Sequence, residues 1–353
     1  LAAAGVVSLS SVAQAQEAAA GAEAVAASVE LSGYVSSSYS VGSNRSGNTF
    51  RSASTDGDKF SLDVVSLTLT GAKGEGEWAS GYNVTMWIGP AASDIGTNDA
   101  GANANSSLEL MAANIDLTLP IGDGVNLTVG QFGTVVGYET HDYSKNAFHN
   151  RGWGFAVEPT HHTGVLAEYQ MNDEIGIGVG IVNDTTSAST NNTQDDGAVA
   201  YLLKATYEPA EGTWLGDNGF DLNLGAVLDA GADGSETDTY YYAVGLPVEG
   251  MIANLTLDVA ASLADSDATT ANDSEIYQIY LSYKLGESTT LNARYEFGDD
   301  DITTSKSDIE SIAVGVTHDL WENVTSRVEY MTSDWDGASN DDEVLTVSLI
   351  YSF

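Results

Sequence analysis

The sequence predicts an all-β fold, a 16-stranded antiparallel transmembrane β-barrel with short periplasmic turns and long outer loops. Three observations predict it. Apolar and polar residues alternate with period two in sixteen segments of about ten residues each. The connections between those segments run short, long, short, long along the whole chain. The last segment, EVLTVSLIYSF (343–353), carries one apolar face through Leu345, Val347, Leu349 and Tyr351 to the terminal Phe353.

The segments fall at 29–40, 59–71, 76–89, 107–119, 124–134, 159–171, 174–183 and 197–208, then 218–229, 237–248, 252–264, 274–285, 288–298, 308–319, 323–333 and 343–353. One face is apolar and the other small or polar. In 323–331, Val324, Val328 and Tyr330 oppose Thr325, Arg327 and Glu329; in 252–264, Leu255, Leu257, Val259 and Leu263 oppose Asn254, Thr256, Asp258 and Ser262. A soluble sandwich alternates too, so the connections decide. The short ones include AKGEG (72–76), PIGDG (120–124), NDE (172–174), GE (286–287) and WEN (321–323). The long ones, 41–58, 90–106, 135–158, 184–196, 230–236, 265–273, 299–307 and 334–342, are rich in Asp, Asn, Ser, Thr and Gly. That parity puts every second turn on one side of a sheet. Closure would leave no open edge, and lipid would take the apolar face. Trp78, Tyr277, Tyr283, Tyr295, Phe297, Tyr330, Tyr351 and Phe353 occupy the outward phase near segment ends, where an interfacial girdle belongs.

Composition narrows the partners. A net charge of −40, from 51 acidic residues against 11 Lys and Arg, excludes nucleic acid, whose phosphates need clustered cations. With 42% hydrophobic and 9% aromatic residues the chain has enough apolar surface to escape disorder. It contains no cysteine, which removes disulfides and thiolate metal sites. The opening LAAAGVVSLSSVAQAQ reads as the rest of a signal peptide, residues 1–15, with Ala13-Gln14-Ala15 as the cleavage signature. An Ala-rich leader, 16–28, follows, and the barrel domain is 29–353. No stretch reaches the roughly 18 apolar residues of a membrane helix.

The stretch GQFGTVVGYE (130–139), the run to HNRGWGF (149–155), HHTGV (161–165) and GVGIVND (178–184) resemble the OmpL-like β-barrel porin family. LSGYVSSSYSVG (31–42) and the terminal YSF fit the same picture. The resemblance implies an outer-membrane porin passing small hydrophilic solutes and ions by diffusion. It also implies a homotrimer, contact with membrane lipid and lipopolysaccharide, and a terminal Phe read by the barrel-insertion machinery. The alternatives are a substrate-selective channel, for sugars for example, and a structural or adhesive surface barrel.

Sixteen strands leave an aqueous lumen, so function rests on what narrows it. The longest connection, 135–158, is expected to fold inward as the constriction. It carries Glu139, His141, Asp142, Lys145, His149, Arg151 and Glu158 among Tyr138, Tyr143, Phe148, Trp153 and Phe155. Aromatics would hold it to the wall while its charges face the channel. On the wall, Lys204, Lys284, Arg294 and Arg327 fall on the inward phase. Set against Glu139 and Asp142, they would create a transverse field that tunes ion preference; alternatively, Arg294 pairs with Glu296 and Arg327 with Glu329. The acidity of the chain favours cations at both mouths. At high salt, with a Debye length of roughly 3–5 Å, the constriction decides.

Other motifs carry less. His161-His162 opens a strand, so its rings are expected on opposite faces and not as a metal chelate. His141, Asp142 and Ser144 are too close in sequence for triad geometry, and no other nucleophile–base set points to an enzyme. No cofactor is expected. The acidic segments DAGADGSETD (229–238) and SDWDGASNDDE (333–343) would hold Ca²⁺ or Mg²⁺ only weakly, since neither matches an EF-hand loop.

Overall fold

The computed structural model describes residues 29–43, 59–74, 76–95, 107–183, 199–229, 237–266, 273–300, 308–335 and 342–353. The expected signal peptide and leader, most of the long connections and the expected cation-holding segments between strands lie outside these residues.

Sixteen strands form in the expected order. They are β1 (Val29–Ser43), β2 (Lys59–Gly71), β3 (Ser80–Ile88), β4 (Leu108–Leu119), β5 (Val125–Gly133) and β6 (His161–Gln170). Then come β7 (Ile175–Val182), β8 (Ala200–Tyr207), β9 (Asp221–Asp229), β10 (Thr237–Leu246) and β11 (Leu255–Ser266). The last are β12 (Ser274–Lys284), β13 (Thr289–Asp300), β14 (Asp308–Trp321), β15 (Val324–Trp335) and β16 (Asp342–Ser352). Among the described residues two short α-helices lie in connections, α1 (Pro90–Ile95) and α2 (Trp153–Ala156). Each strand pairs antiparallel with its chain neighbours, and β1 with β16 closes the barrel. The seam extends to the last residue, where Gly33 and Phe353 exchange backbone hydrogen bonds of 3.0 and 2.9 Å.

Strand ends move where turn chemistry overrides alternation. The segment expected from 252 starts at Leu255 because Asn254 adopts φ 68° and ends the turn. Asn323, at φ 64°, does the same in the tight turn between β14 and β15. Asn tolerates the left-handed region better than other residues with a side chain. The segment expected from 218 starts at Asp221, because 216–218 form a single 3₁₀ turn closed by Gly219. The segment expected from 76 starts at Ser80, leaving Trp78 exposed in the turn.

The two faces of each strand invert the usual rule. In β16, Leu345, Val347, Leu349 and Tyr351 are exposed, whereas Thr346, Ser348 and Ile350 are buried. Water on the outside would penalise this arrangement; a hydrocarbon belt rewards it. On the outer face Tyr277 stacks on Phe297 at 5.4 Å, Tyr295 tilts against Phe297 at 5.5 Å and Tyr351 stacks on Phe353 at 6.5 Å.

The barrel's core lies inside it. The 134–160 segment enters the lumen and buries Tyr143, Phe148, Trp153 and Phe155. Tyr143 and Phe155 join Trp87 of β3, Tyr34 of β1 and Ala91 and Ala92 of α1 in one cluster. Trp153 packs with Ile276 and Ile309, and Phe148 with Ala313 and Met331.

Candidate functional site

The 134–160 segment is held against one arc of the wall by side chains that alternation aims inward. Arg294 of β13 binds Glu139 Oε1 through Nη1 at 2.5 Å and Glu296 Oε2 through Nε at 3.1 Å. The same Nη1 donates to the Asn150 carbonyl at 3.1 Å. Glu139 Oε2 accepts the Gly152 amide at 2.6 Å, and Glu296 accepts the Gly154 amide at 3.2 Å. Glu329 of β15 accepts the amides of His149 and Asn150 and the Asn150 side chain. Arg327 donates to the carbonyls of Tyr143 at 2.6 Å and Ser144 at 3.4 Å. From β14, Thr317 donates to the Ala147 carbonyl, and from β11, Ser262 donates to Glu158. Burying charge is costly unless partners replace water: Arg294 has two carboxylates, whereas Glu329 and Arg327 are met by loop amides and carbonyls.

The local sequence RGWG is what lets the backbone come so close. A Cβ on Gly152 would strike the Glu296 carboxylate, and one on Gly154 would strike the Gln278 amide. Arg151 completes the internal scaffold. It donates to the carbonyls of Thr140 (2.8 Å), His149 (2.9 Å) and His141 (2.6 Å), and its guanidinium lies 4.2 Å from the Tyr143 ring centre.

This geometry changes several expectations. Arg294 and Arg327 do face inward, but both are covered, at 1% and 4% exposure. Glu139 touches Arg294 directly, so no field crosses open water between them; the segment packs its charges onto the wall, as their desolvation demands. The Arg294–Glu296 pair is present. Glu329 instead receives loop amides while Arg327 spends its donors on loop carbonyls. His141 lies against Trp87 and His161, with its ring centre 4.5 Å from that of His161, whereas Ser144 bonds Asp142 at 2.6 Å. The three do not assemble as a triad. His161 and His162 do not divide between lumen and lipid: both are buried, the second against Phe132.

Three expected charges border open space. Asp142 and Lys145, 3.9 Å apart, line a cavity of about 530 Å³ facing β1–β5. Lys204 of β8 binds Glu168 of β6 at 2.7 Å and lines a cavity of about 430 Å³ between Thr134–Tyr138 and β8–β11. That second cavity also contains Asp221 and Asp258, which the sequence reading did not select. Their signal was available, since both are acids on the inward phase. Asp63 was missed as well, because it falls in an outer strand end. It accepts Ser36 (2.9 Å) and Ser38 (2.7 Å) and lies 4.0 Å from His149.

Burial sets the protonation of the loop groups. It lowers the pKa of His141 to about 3, helped by Arg151 and Lys145. It lowers that of His149 to about 4, against the pull of Asp63. It raises that of Glu158 to about 8; the Ser262 hydrogen bond opposes the shift, and Glu139 and Glu296 add to it. Near neutral pH both imidazoles are uncharged and Glu158 is largely protonated.

A family model described as "Putative beta-barrel porin-2, OmpL-like" matches residues 28–353. The chain belongs to this OmpL-like porin family. It is an outer-membrane porin. Family and fold point to a channel rather than an enzyme. Solved structures share the barrel of this OmpL-like porin at low sequence identity. OmpF of Salmonella typhi, in complex with daunomycin, aligns at TM-score 0.64 and 13% identity, covering 92% of this chain and 97% of that one. The anion-selective porin from Comamonas acidovorans gives 0.64 and 13%, covering 92% and 99%. In-vitro folded OmpT of Vibrio cholerae, in its trimer form, gives 0.61 and 12%, also covering 92% and 99%. These likenesses establish the fold alone. No curated protein matches the OmpL-like porin at a significant level.

Proposed function

We propose that the barrel is a passive diffusion channel for small hydrophilic solutes and ions, with a preference for cations. One observation carries the reading. Most hydrogen bonds that hold the inserted segment come from β11–β16, and β7, on another part of the wall, presents no side-chain bulk to the lumen over 176–180. Gly176, Gly178 and Gly180 follow one another along the inward face of β7, and Gly245 adds a bare position on β10, whereas Gly225 of β9 lies against Val135 and Val136 of the segment. Open space survives beside those strands.

Charge supports the preference. Arg151, Arg294 and Arg327 are consumed beneath or within the loop, so they contribute little to the open surface. What faces that space is Lys204, paired with Glu168, alongside the carboxylates of Asp221 and Asp258, while Lys145 and its partner Asp142 face the cavity beside β1–β5. Negative walls concentrate cations where water is confined.

The trimeric state of OmpT, together with the shared barrel, supports a homotrimer here; the exposed apolar belt supports contact with membrane lipid and, in the outer leaflet, lipopolysaccharide. Conductance of the folded protein in a planar bilayer tests the reading. Stable ohmic steps support it, and electrically silent folded barrels refute it.

A further inference from the structure

Asp221 on β9 and Asp258 on β11 both lie beside Gly245 of the strand between them. Two strand spacings separate their backbones by about 10 Å. The residue in the gap has no side chain. The Asp221 carboxylate leans into that space, since a Cβ on Gly245 would collide with its Oδ2. Oδ1 of Asp221 accepts the Asn223 amide at 2.8 Å, and Oδ2 of Asp258 accepts the Tyr138 hydroxyl at 2.7 Å. Neither carboxylate has a Lys or Arg within ion-pair distance among the described residues; the nearby Lys204 is committed to Glu168.

Two aromatic rings frame the pair. Tyr138 comes from the inserted segment and is itself stacked on Tyr280, with ring centres 3.9 Å apart. Tyr241 rises from β10 into the same cavity, is 7% exposed, and its hydroxyl has no hydrogen-bond partner among the described residues. The ring is buried while the hydroxyl opens onto the cavity, within reach of a hydrogen-bonding guest. The site thus offers two carboxylates lacking a counter-charge, one free hydroxyl and aromatic surface, in about 430 Å³. Carboxylates and aromatic faces together select a compact, partly apolar cation over a fully hydrated metal ion.

We propose that Asp221, Asp258, Tyr138 and Tyr241 form a binding subsite for small organic cations bearing primary ammonium or guanidinium groups, at which such solutes pause during passage. The inference rests on the diffusion-channel reading and adds a saturable step to it. The ammonium would sit between the carboxylates over Gly245, and the carbon chain against Tyr138.

The test uses folded full-length protein in planar bilayers, with the diamine putrescine as probe and the neutral diol of the same length as control. Putrescine is expected to interrupt the current saturably, and the diol is not. Asp221→Asn/Asp258→Asn should raise the putrescine concentration for half-block at least tenfold while still conducting potassium chloride. Asp116→Asn, which removes a lumenal carboxylate elsewhere, should leave half-block within twofold. Equal block in the double variant, or equal interruption by the diol, overturns the subsite. Calorimetric titration of the detergent-solubilised protein reads the same site without requiring current. Saturable heat with putrescine and none with the diol is expected; no saturable heat overturns the subsite. Channels that conduct but neither block nor bind putrescine remove the subsite and leave the diffusion reading intact. Silent barrels that bind putrescine remove the diffusion reading instead.

Discussion

Replacing Arg294 with Met keeps an unbranched apolar stem and deletes the guanidinium that pairs the inserted segment's Glu139 with the wall. Arg294 touches a loop carboxylate at 2.5 Å, a wall carboxylate at 3.1 Å and a loop carbonyl at 3.1 Å, all out of water. Removing one partner of a buried ion pair costs about 3–5 kcal/mol, because the other charge stays behind. Here two carboxylates stay behind, Glu139 on the loop and Glu296 on β13. Undocking returns Glu139 to water, so the cost falls on the docked state alone. About 3–5 kcal/mol shifts the docked-to-undocked ratio roughly 10²- to 10⁴-fold. Single-channel recording should show larger mean conductance with new transitions between levels. Circular dichroism should show an unchanged barrel, whose strand pairing does not pass through Arg294's side chain. Adding Glu139→Gln to Arg294→Met removes one stranded charge and should recover part of the quiet, smaller current. A folded Arg294→Met protein with wild-type conductance and no new transitions would refute the clamp.

Protonation gives a second handle. Glu158, raised to about 8, stabilises docking fully below its free value near 4.5, and that contribution is lost as pH rises through about 8. His149, lowered to about 4, acts in the opposite direction: its contribution is complete above its free value near 6.5 and is lost as pH falls through about 4. Current noise should therefore grow towards both extremes, and Glu158→Gln should flatten the alkaline side only; an unchanged alkaline rise in that variant counts against the assignment. Gly178→Leu puts bulk on the open wall, where a Cβ meets Lys204 at 3.3 Å and Glu168 at 3.4 Å. Conductance should fall with folding intact, and an undiminished conductance would place the passage elsewhere. Lys204→Met breaks a half-exposed pair worth about 0–1 kcal/mol, so stability should barely change. The freed Glu168 should move the reversal potential towards cations, and a shift towards anions would be inconsistent with the charge argument. Phe353→Ala loses a stacked partner of Tyr351 on the lipid face, at about 0.5–1.5 kcal/mol. Urea unfolding from lipid vesicles should register that loss, and no change would exclude the stack as a stabilising contact.

The barrel was legible because its rule is local. Alternation marks each strand, connection parity marks the side of each turn, and the apolar face of 343–353 marks the closing strand. Inward folding of 135–158 was legible from its aromatics, since Tyr143, Phe148, Trp153 and Phe155 had no other shelter. The partners of that segment were not. Glu139 meets Arg294 across 155 positions, and Asn150 meets Glu329 across 179. No period in the sequence encodes such distances. The inward phase of Arg294 and Arg327 was visible, but whether a lumenal cation faces water or lies beneath a docked loop depends on where the loop lands. Strand phase also marks Asp221 and Asp258 as inward. Their common neighbour, Gly245, emerges only from the register of β9, β10 and β11.

The most direct test of the account is the reversal potential of single channels under a potassium chloride gradient, measured on the folded full-length protein. Ohmic openings that reverse on the cation-selective side are predicted. Openings that reverse on the anion side would contradict the acidic passage along β8–β11, and folded barrels without openings would contradict the channel itself.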